Sequence, residues 1–322
     1  MIKQLVRWLG LLLALAAGIY FVLYAHHALA GKDLSGLLDS SVLAATAALT
    51  VLYVVLIPTT AIAWTWLLRA MEQRVSYGRM LPILATTQFG KYLPGNVAQH
   101  IGRIALARGA GVQLPAALFS VAYEMLLMLV ACAHISALTL LWTPPAALLH
   151  WKLAEYRLPL LALVTLGAVA ALLLAPRLAS WLAHYRASKR DERDYVLPRL
   201  HLNATTVLAC YVMYAINFCL IGGGLWLVAH ALLAGTTSTP SVIFLIGAFA
   251  SSWILGFIAP GAPAGLGIRE AILSSWLSGA LPPAQIVLLV VALRIATTTG
   301  DLINLVGGSI ATTRVRERNL PI

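Results

Sequence analysis

Pro94-Gly95-Asn96-Val97-Ala98-Gln99-His100-Ile101-Gly102-Arg103-Ile104-Ala105-Leu106 interrupts an apolar stretch with Pro-Gly and then puts an arginine into it. A second stretch repeats the pattern. Pro260-Gly261 is followed by seven residues, Arg269, one residue and Ala271-Ile272, as Pro94-Gly95 is followed by seven residues, Arg103, one residue and Ala105-Leu106. A helix broken at membrane depth is tolerated only where it is buried in protein or lines a cavity. A pair of Gly/Pro-interrupted segments in corresponding places of two halves points to the binding site of a transporter.

The rest of the composition agrees with a membrane setting. Of 322 residues, 61% are hydrophobic and 10% charged, against about a quarter charged in soluble chains. The reading is a single all-α polytopic membrane domain over residues 1–322. The net charge of +11 sits mainly in short loops between apolar spans. It therefore signals topology and contact with anionic headgroups rather than nucleic acid. Cys132, Cys210 and Cys219 all fall in apolar segments without metal spacing and read as buried small hydrophobes. The start, with Lys3, Arg7 and a long apolar run ending near Ala28-Leu29-Ala30, has the form of a signal peptide. It is read here as a retained first helix, and residue 31 lies outside either way.

An apolar run of about 20 residues spans the hydrocarbon core as a helix. Six full spans are expected at roughly 6–28, 41–68, 115–141, 158–176, 203–232 and 284–308. Two apolar regions remain, 80–109 and 241–279, each with Pro-Gly near its middle and halves too short to span alone. Basic residues follow residue 68 (Arg69, Arg74, Arg79), crowd 177–200 and fill the tail, whereas the intervening loops hold only Lys32, Lys152 and Arg157. All clusters fall on one side if the two interrupted regions are re-entrant hairpins, with both termini cytoplasmic. Span, hairpin and span over 41–141 then repeat upside down over 203–308, joined by a cytoplasmic linker at 177–200. Opposed hairpin tips meet near the bilayer centre, where alternating-access transporters hold substrate.

The charges within apolar segments are Lys91, Arg103, Glu124, Arg269, Glu270, Arg294 and Asp301. Each is costly at depth unless paired or hydrated, which makes it a functional candidate. Four cations against three anions leave one positive charge for an anionic headgroup such as a phosphate. Lys91, close to a hairpin tip, is expected to contact that phosphate. Arg103 either does so or snorkels to the interface. Arg294 and Asp301, two turns apart on one face, are expected to form a structural bridge. Arg269 and Glu270 point differently, and serve as ligand and charge balance or brace the hairpins. Glu124 is a proton-coupling carboxylate or a partner for a hairpin arginine. Free N–H groups after each Pro-Gly turn add an anion site, with Asn96 and Gln99 as further donors and Gly265 and Gly267 admitting a ligand to the backbone. The Gly222-Gly223-Gly224 run reads as close helix packing. No nucleotide-binding loop and no metal-spaced cluster is present, so no cofactor is expected.

Gly90-Lys91-Tyr92-Leu93-Pro94-Gly95-Asn96 with Gly102-Arg103, and Pro260-Gly261 with Gly265-Leu266-Gly267-Ile268-Arg269-Glu270, resemble the lysylphosphatidylglycerol synthase transmembrane-region family, also called flippase-like or UPF0104. The resemblance covers essentially the whole sequence. It implies a bacterial or archaeal inner-membrane protein that moves lipids between leaflets. In fused members this domain flips lysyl-phosphatidylglycerol made by a C-terminal synthase part. No such part is present here, so lysyl transfer is not expected. The expected partners are anionic lipids, with a homo-oligomer or an envelope-lipid synthase as further possibilities.

Three functions compete. The first is a flippase-like transporter of an anionic phospholipid or polyprenyl-phosphate-linked lipid. The second is a membrane transferase acting on a lipid-linked sugar. Against it, the outside loops offer only Asp33, Asp39, Glu155 and His150, scattered rather than set for acid–base work. The third is a non-catalytic partner of a cell-envelope enzyme, which gains nothing from an excess of buried charge.

Overall fold

The computed structural model describes residues 39–92, 97–189, 202–234, 239–259 and 263–318, with isolated residues between 19 and 27. Helix α1 (Ser40–Ala70) starts where the Asp39 carboxylate accepts the Ser41 N–H at 3.2 Å. Such side chains satisfy donors that a helix start leaves free. Two short helices follow, α2 (Tyr77–Gln88) and α3 (Ala98–Gly109), with a 3-10 turn, Phe89–Tyr92, after α2. Helix α4 (Leu114–Leu140) then leads to α5 (Arg157–Lys189). The second half opens with α6 (Ala204–Leu232), capped by Asn203, and α7 (Val242–Ile258), capped by Ser241. A 3-10 turn, Pro263–Gly265, precedes α8 (Ile268–Leu277), and α9 (Pro283–Arg318) closes the described chain.

Five described helices are long and apolar enough to cross a membrane: α1, α4, α5 over Arg157–Trp181, α6, and α9 over Pro283–Thr312. The expected span at 6–28 lies largely outside the described residues. Helix α5 runs on through the basic residues to Lys189. The first part of the segment read as a linker at 177–200 is therefore helical, and 190–200 lies outside the described residues. The four remaining helices are short. At 1.5 Å per residue, α2 and α3 reach about 18 Å, α8 about 15 Å and α7 about 26 Å, against a hydrocarbon core of about 30 Å.

Helix contacts follow a pattern of exchange. α1 packs on α6, α4 on α7 and α9 on α2. Swapping α1 with α6, α2 with α7, α3 with α8 and α4 with α9 maps the α1–α6 contact onto itself and turns every other substantial contact among these eight helices into another. Helix α5 stands outside this scheme and packs on α4. Lipid tails are as apolar as leucine, so close packing of small residues carries helix association. Gly247 on α7 lies against Thr139 on α4, and Gly308 on α9 against Ala85 and Thr86 on α2. A Cβ on Gly222 would collide with the Ile246 backbone of α7, and one on Gly224 would meet Leu49 of α1. These two glycines pack helices closely, as expected of the run.

Polar side chains add specific ties. The Thr59 hydroxyl of α1 donates to the Asn217 side-chain oxygen of α6 at 3.1 Å, and the Asn304 amide of α9 to the Val54 carbonyl of α1 at 3.3 Å. Cys132 and Cys210 are buried and Cys219 partly so.

Candidate functional site

The 3-10 turns Phe89–Tyr92 and Pro263–Gly265 lie against each other, and a cavity of about 180 Å³ opens beside them. Its wall mixes ionised groups with Phe218, Phe249, Trp253 and Phe257. The first turn is shaped by Gly90, where a Cβ would stand 2.7 Å from the Gln99 backbone nitrogen. Lys91 projects from this turn to Asp301 on α9, with 2.7 Å from Nζ to Oδ2, and donates to the Tyr53 hydroxyl at 2.9 Å. The Tyr92 hydroxyl donates to the same carboxylate at 2.6 Å. Gly300 makes room beside it, since a Cβ there would lie 2.6 Å from the Tyr53 ring. Asp301 is buried and is thus fully engaged.

Arg103 on α3 is 4% exposed. Its Nη1 donates to Glu124 Oε1 at 2.9 Å, and Nη2 pairs with Oε2. The guanidinium lies 3.8 Å from the centre of the Trp64 ring, and Trp64 Nε1 is anchored to the Ser120 hydroxyl at 2.9 Å. On α8, Glu270 Oε1 pairs with Arg294 Nε of α9. Each short second helix is thus tied to the long helix after it, with opposite polarity. The cation sits on the short helix in the first half and on the long helix in the second.

The three carboxylates therefore consume three cations, and Arg269 is left. It forms no ion pair among the described residues. Its side chain threads a slot made by two glycines. A Cβ on Gly256 would strike its Cγ, and one on Gly265 would lie 2.6 Å from its Nε. Gly265 and Gly267 also hold φ of +68° and +80°, a region glycine enters without steric cost. The guanidinium lies 5.3 Å from the centre of the Trp253 ring. Among the described residues, five atoms of cavity-lining side chains are buried without a hydrogen-bond partner: Arg103 Nε, the Tyr214 hydroxyl, Arg269 Nε, Glu270 Oε2 and Arg294 Nη2.

Several expectations change in detail. The Arg294–Asp301 bridge is not formed. Seven residues on one helix are about 10 Å apart in rise, and each side chain instead meets a partner from another element. Lys91, expected at a phosphate, holds a carboxylate that fastens the first turn to α9. Arg103 is buried with Glu124 and does not snorkel to an interface. Gln99 lines the cavity, and its amide contacts the His100 ring at 3.2 Å. Pro94, Gly95, Asn96, Pro260 and Gly261 lie outside the described residues. Sequence reasoning missed Tyr53, Tyr92, Trp253 and Gly256. Gly256 carried a signal, a small residue just ahead of Pro260. Tyr53 carried none, being one aromatic residue in an apolar span.

The fold and this cavity define a multi-pass helical membrane protein with ionised groups set around an internal cavity. The chain belongs to the family described as Lysylphosphatidylglycerol synthase TM region, whose profile matches residues 7–303. No curated protein matches it. Membership makes this a membrane domain of the kind found in lysylphosphatidylglycerol synthase-like proteins, consistent with a lipid-related role.

Proposed function

We propose that the protein is a flippase-like transporter that moves an anionic lipid between leaflets of a bacterial or archaeal cytoplasmic membrane. The headgroup occupies the cavity between two re-entrant hairpins, α2–α3 and α7–α8, while the acyl chains stay in lipid. The observation that carries this reading is the charge count at the cavity. Glu124, Glu270 and Asp301 are each paired with a cation, and Arg269 forms no ion pair among the described residues. An uncompensated cation at membrane depth is costly, and a transiently bound anion neutralises it.

Three further observations support the reading. The four short helices fall below spanning length. The two turns touch. The exchange of contacts between the halves is the pattern that an inverted repeat produces, and such repeats hold substrate at their interface. The bias of basic residues toward one set of loops supports cytoplasmic termini.

The test is a leaflet-translocation assay in proteoliposomes with chemically trappable lipids, comparing wild type with Arg269→Ala and Arg103→Ala. Movement of an anionic lipid that is lost in Arg269→Ala supports the transporter. Folded wild-type protein that moves no anionic lipid, phospholipid or polyprenyl-phosphate-linked, refutes it.

A further inference from the structure

The exchange between the halves extends to α5. This helix precedes α6 and packs on α4. The Tyr123 hydroxyl of α4 donates to the Leu172 carbonyl of α5 at 3.1 Å, and His134 Nε2 meets the Thr165 hydroxyl at 3.2 Å. As the α4 numbers rise the α5 numbers fall, so the two helices run antiparallel. Exchange turns α6 into α1 and α4 into α9. The counterpart of α5 is therefore a helix that precedes α1 and runs antiparallel along α9. The apolar run at 6–28 precedes α1.

Helix α9 presents a matching face. Ile295, Thr299, Ile303, Val306 and Ile310 are exposed and recur at three- and four-residue spacing, which is one side of a helix. A Cβ on Gly308, on the other side, would lie 2.7 Å from that of Ala85 on α2, whereas one on Gly307 would stand in open space. The run at 6–28 offers small residues in return. Gly10, Ala14 and Gly18 are spaced four apart, the pattern by which membrane helices approach closely. Of this run the structure describes Ile19, Val22, Leu23, His26 and His27, all helical and exposed. On helical spacing, Gly10, Ala14 and Gly18 fall about 150° from that exposed side.

We infer that residues 6–28 dock antiparallel on the exposed side of α9, as α5 docks on α4. With the two spans aligned at their centres, Ala17 and Ala296, Gly10 falls beside Ile303, Ala14 beside Thr299 and Gly18 beside Ile295. Each turn then sets a small residue against a larger one. The docked segment braces the helix that carries Arg294 and Asp301, and its place does not depend on what the cavity receives.

The test is disulfide cross-linking of the full-length protein in native membranes. Cys132, Cys210 and Cys219 are replaced by alanine, and a protease site is inserted between Gly31 and Asp39. A disulfide forms only where two Cα atoms come within about 7 Å. Oxidation is expected to link Ala14→Cys with Thr299→Cys, and Gly18→Cys with Ile295→Cys, within one chain. Cleavage after solubilisation then leaves the two fragments joined on a non-reducing gel. Two control pairs are expected to give severalfold less joined product. Ile19→Cys with Ile295→Cys probes the exposed side of the segment, and Ala14→Cys with Leu166→Cys probes the flank of α5. Linkage at either of the first two pairs, above both controls, supports the docking. Linkage to Leu166→Cys at the higher yield overturns it and moves the segment to α5. A product joining two chains overturns it and gives the α9 face to a second copy. Absence of linkage at both pairs overturns it and leaves that face to lipid. Intact mass of the wild-type protein showing a chain that starts after Ala30 overturns it as well, whatever the variants do.

Discussion

Arg103, at 4% exposure, has both of its terminal nitrogens met by Glu124. Removing one partner of a buried pair leaves a charge that neither water nor protein stabilises. Glu124→Leu is expected to cost about 3–5 kcal/mol, seen as a lower melting temperature in detergent, and adding Arg103→Met is expected to recover most of it. Melting of the single variant at the wild-type temperature would show that the pair carries no such weight. Arg269 depends instead on space. Gly256→Ala puts a methyl group where its Cγ lies, and is expected to slow anionic-lipid translocation in proteoliposomes severalfold while the protein stays folded. An unaltered rate would mean that the slot does not aim the side chain. The seven charges were legible in the sequence because an ionised group in an apolar run is costly enough to stand out. Their pairing was not. Lys91 and Asp301 are 210 positions apart, and periodicity along one helix carries no information about a neighbour on another.

The short elements take their form from small residues and single ties. The Phe89–Tyr92 turn is held to α9 by two side chains converging on Asp301. Asp301→Asn weakens both contacts, and is expected to speed hydrogen exchange of the amides at 89–92 while α6 keeps its protection. Unchanged exchange at the turn would remove Asp301 as its anchor. Five of the six expected spans coincide with described helices and start within a few residues of the expected positions, because hydropathy decides which runs tolerate lipid. The far end of α5 was not. The segment from Arg177 read as a loop because of its charges, yet the helix continues to Lys189, since Arg and Lys are good helix formers. The 3-10 turn at 89–92 was hidden as well, since Gly90 closes it by approaching a backbone nine positions away.

Across the whole molecule, the repeated Pro-Gly…Arg motif pointed to two related halves, and helix contacts exchange between them. The motif did not reveal that the bracing ion pairs reverse polarity, because that depends on which helix of each pair carries the acid. Orientation is open to direct measurement. Ser76 and Glu155 are both exposed, on loops that the charge bias assigns to opposite sides. In intact cells, a membrane-impermeant thiol reagent is expected to label Glu155→Cys and spare Ser76→Cys, and the opposite result would invert the topology. The reversed pairs also have an electrical consequence. Each bracing pair is neutral and moves no net charge through the field across the bilayer. Arg269 has no such partner among the described residues. In the transporter proposed above, a shift of α8 with its cavity empty would carry one elementary charge, and a charge that crosses the full potential exchanges about 2.3 kcal/mol per 100 mV. An anion travelling with it would bring the sum to zero. Voltage would then act on the return of the empty carrier and spare the loaded step, so the polarity of the membrane potential would set which leaflet the site faces while it waits.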